Sequence, residues 1–169
     1  MRTIDQLKKL IASTVSWWFV ICCVAPFSGS CQEQHRRPSL FLLPEGYEGW
    51  VRIDFGVKTA PALSIENGYY SFKFPQTGLI QTSSAFEEGY AEDKYYYYSE
   101  VGTRRSLRGS VSGGGGMIWG EVVSRVQDEP EIHQYFFVGT EKDFKELGLK
   151  EKDKDGNPII GPINRDSSH

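Results

Sequence analysis

Hydrophobic and polar residues alternate along several short stretches of the chain. The clearest stretch is Gly49–Val57, in which Val51, Ile53, Phe55 and Val57 share one face. An alternation of period two is typical of a β-strand with one buried face. Together with runs of β-branched and aromatic residues, it predicts strands at Leu40–Leu43, Gly49–Val57, Tyr69–Phe74, Leu79–Thr82, Tyr95–Tyr98, Met117–Val123 and Ile132–Val138.

A tight turn and one helix complete this pattern. The Asn67-Gly68 pair supplies the positive φ angles of a two-residue hairpin turn. Thr140 is a suitable helix N-cap, Asp143 follows at nearly the spacing of a capping box, and Gly148 suits the C-terminal end. The pattern therefore predicts a mainly β fold, a small antiparallel β-sandwich or open barrel with one short C-terminal helix.

The first 30 residues have the composition of an export signal. Arg2, Lys8 and Lys9 precede Leu10–Phe27, a run of 18 residues without a charge. That run is long for the apolar core of a signal peptide and short for a membrane span of about 20 residues. Residues 1–30 are therefore predicted to be a signal peptide or an N-terminal membrane segment. Both alternatives place the rest of the chain outside the cytoplasm.

Cys31 follows this segment directly and is a candidate lipidation site. The sequence Ser28–Cys31 resembles the bacterial lipobox, although Ser28 stands where a leucine-like residue is usual. Cys22 and Cys23 lie inside the apolar run, so after cleavage no second cysteine would remain to pair with Cys31. We predict a membrane-anchored lipoprotein that faces the periplasm or is attached to the outer membrane. Secretion of a cleaved soluble form and retention of an uncleaved anchor are the alternatives.

The remaining 139 residues have the length of one domain. The first 30 residues hold three of the 19 basic and one of the 22 acidic residues, which leaves the remainder with a formal net charge of −5. This acidic balance argues against nucleic acid as a partner. The expected organisation is a polar tether at 31–38, a single β-rich domain at 39–163 and a frayed tail at 164–169.

The sequence contains no residue set that predicts a particular reaction, metal or cofactor. Gly109–Gly113 reads G-S-V-S-G and has a valine where a nucleophile elbow needs serine. His133 has no aspartate or serine close by in sequence to support a catalytic role. The run at 151–156 begins like a calcium loop, but Pro162 stands where the last acidic ligand would be. A solvated charged segment that leads into a turn is the favoured interpretation.

The best candidate binding surface is aromatic. In a strand, residues 95 and 97 face opposite to residues 96 and 98, so one tyrosine pair can enter the core while the other presents its rings. Phenol rings stack on sugars and peptides, and arginine adds hydrogen-bond donors. A glycine run at 113–116 would form a loop next to Trp119. The candidate binding residues are Tyr95, Tyr96, Tyr97, Tyr98, Trp119, Trp50, Arg104 and Arg105.

Three motifs resemble an uncharacterised bacterial family of small exported, lipoprotein-like proteins, classed as a domain of unknown function. They are LPEGYEGWVRIDFG (Leu43–Gly56), GGGMIWG (Gly114–Gly120) and YFFVGTEKDF (Tyr135–Phe144), and the resemblance spans roughly Leu40 to Gly148. It implies export and one shared domain, but no activity. The segment Glu66–Gly78 is separately similar to the turn-and-strand rhythm of transthyretin-like sandwiches, so a transthyretin- or Ig-like arrangement is expected.

These observations leave more than one function open. The first hypothesis is a non-enzymatic envelope protein, tethered through an N-terminal lipid or segment, that binds a protein or glycan partner through its aromatic face. A purely structural role in the envelope is a related possibility. The alternative is a secreted hydrolase with dispersed acidic residues such as Asp54, Glu87 and Glu88, which predicts a pocket where two carboxylates converge.

Overall fold

A computed structural model describes residues 35–108, 116–125, 131–150 and 152–163. The predicted leader, Cys31, the Gly109–Gly113 motif and the tail at 164–169 lie outside the described residues. No helix in the described part is long and apolar enough to cross a membrane. The strands are β1 (Ser39–Pro44), β2 (Gly49–Phe55), β3 (Ser64–Glu66), β4 (Tyr69–Lys73), β5 (Leu79–Thr82), β6 (Lys94–Tyr98), β7 (Arg104–Leu107), β8 (Ile118–Arg125), β9 (Ile132–Val138) and β10 (Gly161–Pro162).

The strands of the described residues form two five-stranded sheets. The first sheet has the order β3-β4-β1-β6-β7, and the second has the order β10-β2-β9-β8 with β5 also paired to β2. The prediction of a mainly β fold with one short helix is confirmed.

Strand direction differs from the antiparallel arrangement that we expected. β1 runs parallel to both β4 and β6, and β2 runs parallel to β5, so both sheets are mixed. Immunoglobulin sandwiches are antiparallel, and the central parallel strand therefore separates this fold from them. Alternation of residues shows which face of a strand is buried, but it carries no information about the direction of the neighbouring strand.

The two sheets pack face to face on one apolar core. Phe41 and Leu43 of β1 meet Val51, Ile53 and Phe136 from the second sheet, and each of the five is at most 1% exposed. All five are inward residues of alternating strands, as the period-two pattern predicted.

The outer face of the second sheet is covered by the C-terminal part of the domain. Helix α1 (Glu141–Asp143) continues as a π-helical turn, Phe144–Gly148, and its N-cap is Thr140 as predicted. The Thr140 hydroxyl accepts a hydrogen bond from the backbone N–H of Asp143 at 3.2 Å. Phe144 packs on a second apolar cluster formed by Trp50, Tyr135 and Phe137. The second sheet is therefore buried on both faces at this end.

Three short strands were not predicted. β3, β7 and β10 have two to four residues each, and their burial gives no clear alternation. The turn between β3 and β4 was predicted: Asn67 and Gly68 have φ angles of 48° and 87° and join the two strands.

Candidate functional site

The outer face of the first sheet gathers three tyrosines and three cations. Tyr96 and Tyr98 lie on the side of β6 away from the core, and Arg104 of β7 is the register partner of Tyr98. Tyr69 and Lys73 of β4 lie on the same side. We call this surface the tyrosine face, and it consists of Tyr69, Tyr96, Tyr98, Lys73, Lys94, Arg104 and Glu66.

Two lysine–tyrosine contacts cross the central strand of this sheet. The Lys94 Nζ atom of β6 lies 4.7 Å from the ring centre of Tyr69 on β4, and the Lys73 Nζ atom of β4 lies 4.7 Å from the ring centre of Tyr98 on β6. A cation over an aromatic ring is attracted by the ring quadrupole, by about 0.5–1 kcal/mol at an exposed site. Each contact therefore spans β1 and joins its two neighbours.

The residues of β1 explain why these contacts form where they do. Leu40 and Leu42 point to the outer face, yet they are only 6% and 4% exposed. Long side chains such as lysine can cover apolar surface with their methylene groups while the charged end stays in water. The stacked lysines and tyrosines thus shield two leucines that an open sheet would leave in solvent.

Arg104 carries the third cation of the face. It makes a bidentate ion pair with Glu66 of β3, at 2.7 Å from Nη1 to Oε1 and 3.2 Å from Nη2 to Oε2. The hydrogen bond from Arg104 lowers the pKa of the Glu66 carboxyl. The hydrogen bond with Tyr69 raises the pKa of the Lys94 ammonium. Arg104, Glu66 and Lys94 are therefore charged at neutral pH.

The other predicted tyrosines face the core. The Tyr97 side chain is 2% exposed, and its hydroxyl donates to the Tyr47 carbonyl oxygen at 2.7 Å. Burial raises the pKa of Tyr97 to about 12. Arg105 lies over its ring at 4.7 Å and pairs with Glu45 at the sheet edge. The predicted split of the tyrosine run into two faces is thus confirmed, with Tyr95 and Tyr97 on the inner side.

Trp50 and Trp119 do not join the tyrosine face. Trp50 belongs to the covered outer side of the second sheet, where its indole N–H donates to the Gly148 carbonyl oxygen at 2.8 Å. The Trp119 ring is stacked with Phe144 at 6.1 Å between ring centres, and its N–H donates to the Gly139 carbonyl oxygen at 2.9 Å. Both indoles therefore hold the C-terminal segment against the sheet.

A polar cluster lies on the same side of the second sheet as Trp50. The Asp54 side chain is 3% exposed and lies between Arg52 and His133, with Oδ1 at 2.9 Å from Arg52 Nε and 2.7 Å from His133 Nδ1. The Gln81 amide donates to Asp54 Oδ2 at 3.3 Å. His133 thus has an aspartate partner 79 residues away in sequence, which a search among neighbouring residues could not find.

One acidic residue of the hydrolase alternative, Asp54, is separated from the other two in the structure. Asp54 is buried in the cluster just described, whereas Glu87 and Glu88 line a cavity near the first described residues. Glu87 accepts a hydrogen bond from the Tyr70 hydroxyl at 2.7 Å, and Glu88 pairs with Arg125. Asp54 therefore cannot converge with the other two on one substrate.

The calcium-like run ends in an ordinary turn. Asp153 Oδ1 accepts hydrogen bonds from the backbone N–H groups of Asp155 and Asn157, each at 2.9 Å. These bonds lower the pKa of the Asp153 carboxyl. Within the residues that the structure describes, no group of three or more potential ligands is placed to hold a metal ion.

The comparisons with known proteins bear on family and fold. Residues 35–146 match the model of a family of unknown function, DUF6843, over about two thirds of the chain. The chain belongs to this family. The predicted resemblance to a domain of unknown function is therefore confirmed, with nearly the expected span. No curated protein matches the chain.

One solved structure has a similar fold. It is a crystal structure of a protein named "putative lipoprotein from Bacillus anthracis". The match has a TM-score of 0.53 and 22% sequence identity, and it covers 70% of this chain and 82% of that one. At this identity the likeness shows a similar fold and nothing further.

Sequence reasoning found three members of the tyrosine face and missed the others. Tyr96, Tyr98 and Arg104 were candidates because they lie in or near the tyrosine run. Tyr69 and Lys73 alternate with the inward residues Tyr70 and Phe72 in β4, a signal that could have identified them as outward. The sequence did not show that β4 and β6 flank the same strand, so it could not bring these two sets together.

Proposed function

We propose that this member of the DUF6843 family is an exported envelope protein, tethered through a lipid on Cys31, that binds an anionic glycan polymer through the tyrosine face. The domain acts as a binding module and catalyses no reaction in this proposal. The polymer carries sugar rings for the tyrosines and carboxylate or phosphate groups for the cations.

The observation that carries the binding function is the charge of the tyrosine face. The tyrosine face contains three cations (Lys73, Lys94 and Arg104) and one carboxylate (Glu66), while the complete chain has a formal net charge of −3. Its sign is thus opposite to that of the chain as a whole. Opposite charge favours encounter with an anionic partner and loses strength as ionic strength rises.

The tyrosines add a contact that is independent of charge. Tyr96 and Tyr98 are half-buried on the outer side of β6, so part of each side chain reaches solvent. Phenol rings combine a large apolar surface with a polar tip, which suits the faces and hydroxyl groups of sugars. A glycan with acidic groups uses both features, whereas a neutral glycan uses only one.

Tethering is supported by the sequence around Cys31. This residue follows the apolar segment, and no other cysteine lies in the remainder of the chain. It precedes β1, the central strand of the first sheet, by eight residues. An extended chain of that length reaches at most about 29 Å, so the domain would stay close to the membrane surface.

Binding is tested with the full chain in detergent micelles and two polymers of equal length, carboxymethyl-dextran and unmodified dextran. We expect the charged polymer to bind at least tenfold more tightly than dextran at low salt, and binding to weaken at 0.5 M salt. The double variant Lys73→Gln, Arg104→Gln should lose most of that preference. Equal affinity of the wild-type chain for both polymers would contradict the proposal.

A matched control uses two lysines of α1 and its π-helical continuation. Lys142 and Lys145 are exposed cations on a different part of the domain. The double variant Lys142→Gln, Lys145→Gln removes the same charge, so it should leave the preference for carboxymethyl-dextran unchanged. A loss as large as that of the first variant would mean that net charge, and not the tyrosine face, governs binding.

Lipidation is tested separately in cells. Metabolic labelling with an alkyne fatty acid should mark the wild-type protein and fail to mark Cys31→Ala. Cys31→Ser is a second variant that keeps size and polarity, and it should also remain unlabelled. Labelling of either variant at the wild-type level would overturn the assignment of Cys31.

A further inference from the structure

Two adjoining cavities lie beside the start of β1 and β6. They are open to solvent, have volumes of about 210 Å³ and about 710 Å³, and are both lined by Arg36, Gly89 and Glu121. We call them together the end cleft. Small-molecule sites in proteins have volumes of roughly 300–1,000 Å³, so a ligand of one or two rings has room here.

One wall of the end cleft is fixed by Arg36. Its Nε donates to the Gly89 carbonyl oxygen at 3.1 Å, and its Nη atoms donate to the two carboxylate oxygens of Asp93 at 3.0 and 2.5 Å. Asp93 also accepts from the backbone N–H of Ser39 at 2.8 Å. The Arg36 guanidinium and the Asp93 carboxylate are therefore paired by hydrogen bonds, and together they hold the segment between residues 87 and 93 in place.

Glu121 is held in position by an unusual core residue. Gln134 is 6% exposed on the inner side of β9, where Phe136 and Val138 are its apolar neighbours on the same face. Its amide donates to Glu121 Oε1 at 2.6 Å. A buried amide costs stability relative to a well-packed apolar side chain. What Gln134 contributes in exchange is a fixed orientation of the Glu121 carboxylate at the cleft.

Tyr95 brings a second polar group to the cleft. Its ring is stacked on Phe41 at 4.8 Å and meets Phe136 edge-on at 5.7 Å, so it is rigidly held. Its hydroxyl makes no hydrogen bond to any of the described residues. Burial, together with the negative charge of Glu121, raises the pKa of Tyr95, so the hydroxyl keeps its proton.

The charges around the cleft nearly cancel. A net field of either sign would favour an ionic ligand, and cancellation favours a neutral one. The carboxylates of the lining are Asp93, Glu87, Glu88 and Glu121, and the cations are Arg36, Arg37 and Lys94. Arg125 outside the lining pairs with Glu88.

We infer that the end cleft binds a neutral carbohydrate of one or two sugar units, with Glu121 accepting hydrogen bonds from sugar hydroxyls and the Tyr95 hydroxyl completing the set. A carboxylate and a phenol provide acceptors and a donor for vicinal hydroxyls, and the rings of Tyr95 and Tyr96 line the same cavity. The end cleft shares Lys94 and Tyr96 with the tyrosine face but not Lys73, Tyr98 or Arg104, so substitutions at Lys73 and Arg104 distinguish this inference from the polymer proposal.

The test uses the full chain in detergent micelles and saturation-transfer NMR with three neutral disaccharides: maltose, cellobiose and N,N′-diacetylchitobiose. At least one of the three disaccharides should bind. Both Glu121→Gln and Tyr95→Phe should lower the affinity for that disaccharide at least tenfold. Tyr95→Phe removes only a hydroxyl without a partner among the described residues, so the fold has no reason to change. Circular dichroism checks that both variants are folded.

Two controls make the outcome decisive. Glu141→Gln removes a carboxylate from α1, outside the cleft, and should bind the disaccharide like the wild type. Lys73→Gln with Arg104→Gln should also bind it normally, even where binding of carboxymethyl-dextran is lost. No binding of any of the three sugars to the folded wild-type chain, or unchanged binding by Glu121→Gln and Tyr95→Phe, would overturn the inference.

Discussion

The two sheets of this domain differ in what covers their outer faces. The second sheet carries Trp50 and Phe137, which lie under the π-helical turn and are 6% and 1% exposed. The first sheet has leucines at the comparable positions of its central strand, and in the described part of the chain stacked lysine and tyrosine side chains cross over this strand. One face is closed by a segment of backbone, and the other by side chains that still contact solvent.

Because the two outer faces are covered differently, we expect their side chains to have different roles, one in stability and the other in binding. An aromatic residue under a backbone segment contributes through burial of apolar area, about 25 cal/mol per Å². A tyrosine ring under an exposed lysine side chain is only half-buried, so it contributes less to folding than a fully buried ring and still contacts solvent. We therefore expect substitutions on the covered face to change the free energy of unfolding, and substitutions on the tyrosine face to change binding.

The largest effect is expected for Phe137→Ala on the covered face. Phe137 contacts Trp50 and Phe144 edge-on or tilted, at 5.7 and 5.5 Å between ring centres. Removal of a buried phenylalanine side chain costs about 3–5 kcal/mol of unfolding free energy, measurable by urea titration. Tyr96→Ala on the open face is the matched control and should cost about 1 kcal/mol or less. Equal losses would show that the two faces do not differ as described.

A smaller loss is expected for Asp54→Asn, on the polar part of the second sheet. The substitution keeps the volume but replaces one acceptor oxygen with a donor that faces Arg52, Gln81 or His133. Hydrogen bonds to charged groups contribute about 1.5–3 kcal/mol each, so a loss of that size is expected in urea titration.

The control for Asp54→Asn is Glu66→Gln on the tyrosine face. Glu66 also pairs with an arginine, but its side chain is 34% exposed against 3% for Asp54. Ion pairs in solvent contribute little, with a median of about 0–1 kcal/mol. A larger loss for Glu66→Gln than for Asp54→Asn would contradict the assignment of Asp54 to the structural side of the comparison.

The sequence predicted the inner faces of the strands better than the outer ones. Period-two alternation identified Val51, Ile53 and Phe55 as core residues, and they are. The same alternation left Trp50 and Asp54 on the opposite side, where polar surface is the usual expectation. Trp50 is buried because the C-terminal turn folds back onto this sheet, and Asp54 lies among Arg52, Gln81 and His133. No local pattern in the sequence records either set of contacts.

For the candidate site too, the sequence pattern did not show which residues become neighbours in the fold. The run Tyr95–Tyr98 revealed that two tyrosines must face each way, but not which pair would meet the second sheet. The end cleft was not predicted at all. Gln134 and Glu121 lie on neighbouring strands and are ordinary residues in isolation, so only the register of β8 and β9 brings them together.

Tyr97 and Tyr98, neighbours in the tyrosine run, should differ in how they affect the pH dependence of stability. The folded-state pKa of Tyr97, about 12, lies above the ordinary value near 10, so folding favours the neutral phenol. The stabilisation that the neutral Tyr97 phenol gives to the folded state is complete below pH 10 and is lost as the pH rises from 10 to 12. Tyr97→Phe should reduce the fall in stability by up to about 1.4 kcal/mol per pH unit over that window.

Tyr98→Phe is the control for this pH dependence. Tyr98 lies on the open face, and its hydroxyl donates to the Phe74 carbonyl oxygen at 3.0 Å. Both variants lose one hydrogen bond, at a cost of about 1 kcal/mol that is independent of pH. Urea titrations at pH 9, 10, 11 and 12 should therefore show a shallower slope for Tyr97→Phe alone. The same change of slope in both variants would mean that the alkaline transition is not tied to the buried tyrosine.

The smallest effect on folding is expected for Lys73→Gln, which removes one cation from the tyrosine face. Lys73 contributes a single cation–π contact with Tyr98, and such contacts are worth about 0.5–1 kcal/mol at exposed sites. Glutamine keeps most of the side chain over Leu42, so the unfolding free energy should fall by no more than about 0.5 kcal/mol. The same substitution should nevertheless weaken binding of carboxymethyl-dextran severalfold. A large loss of stability with unchanged binding would place this face with the covered one, because its side chains would then act in folding and not in recognition.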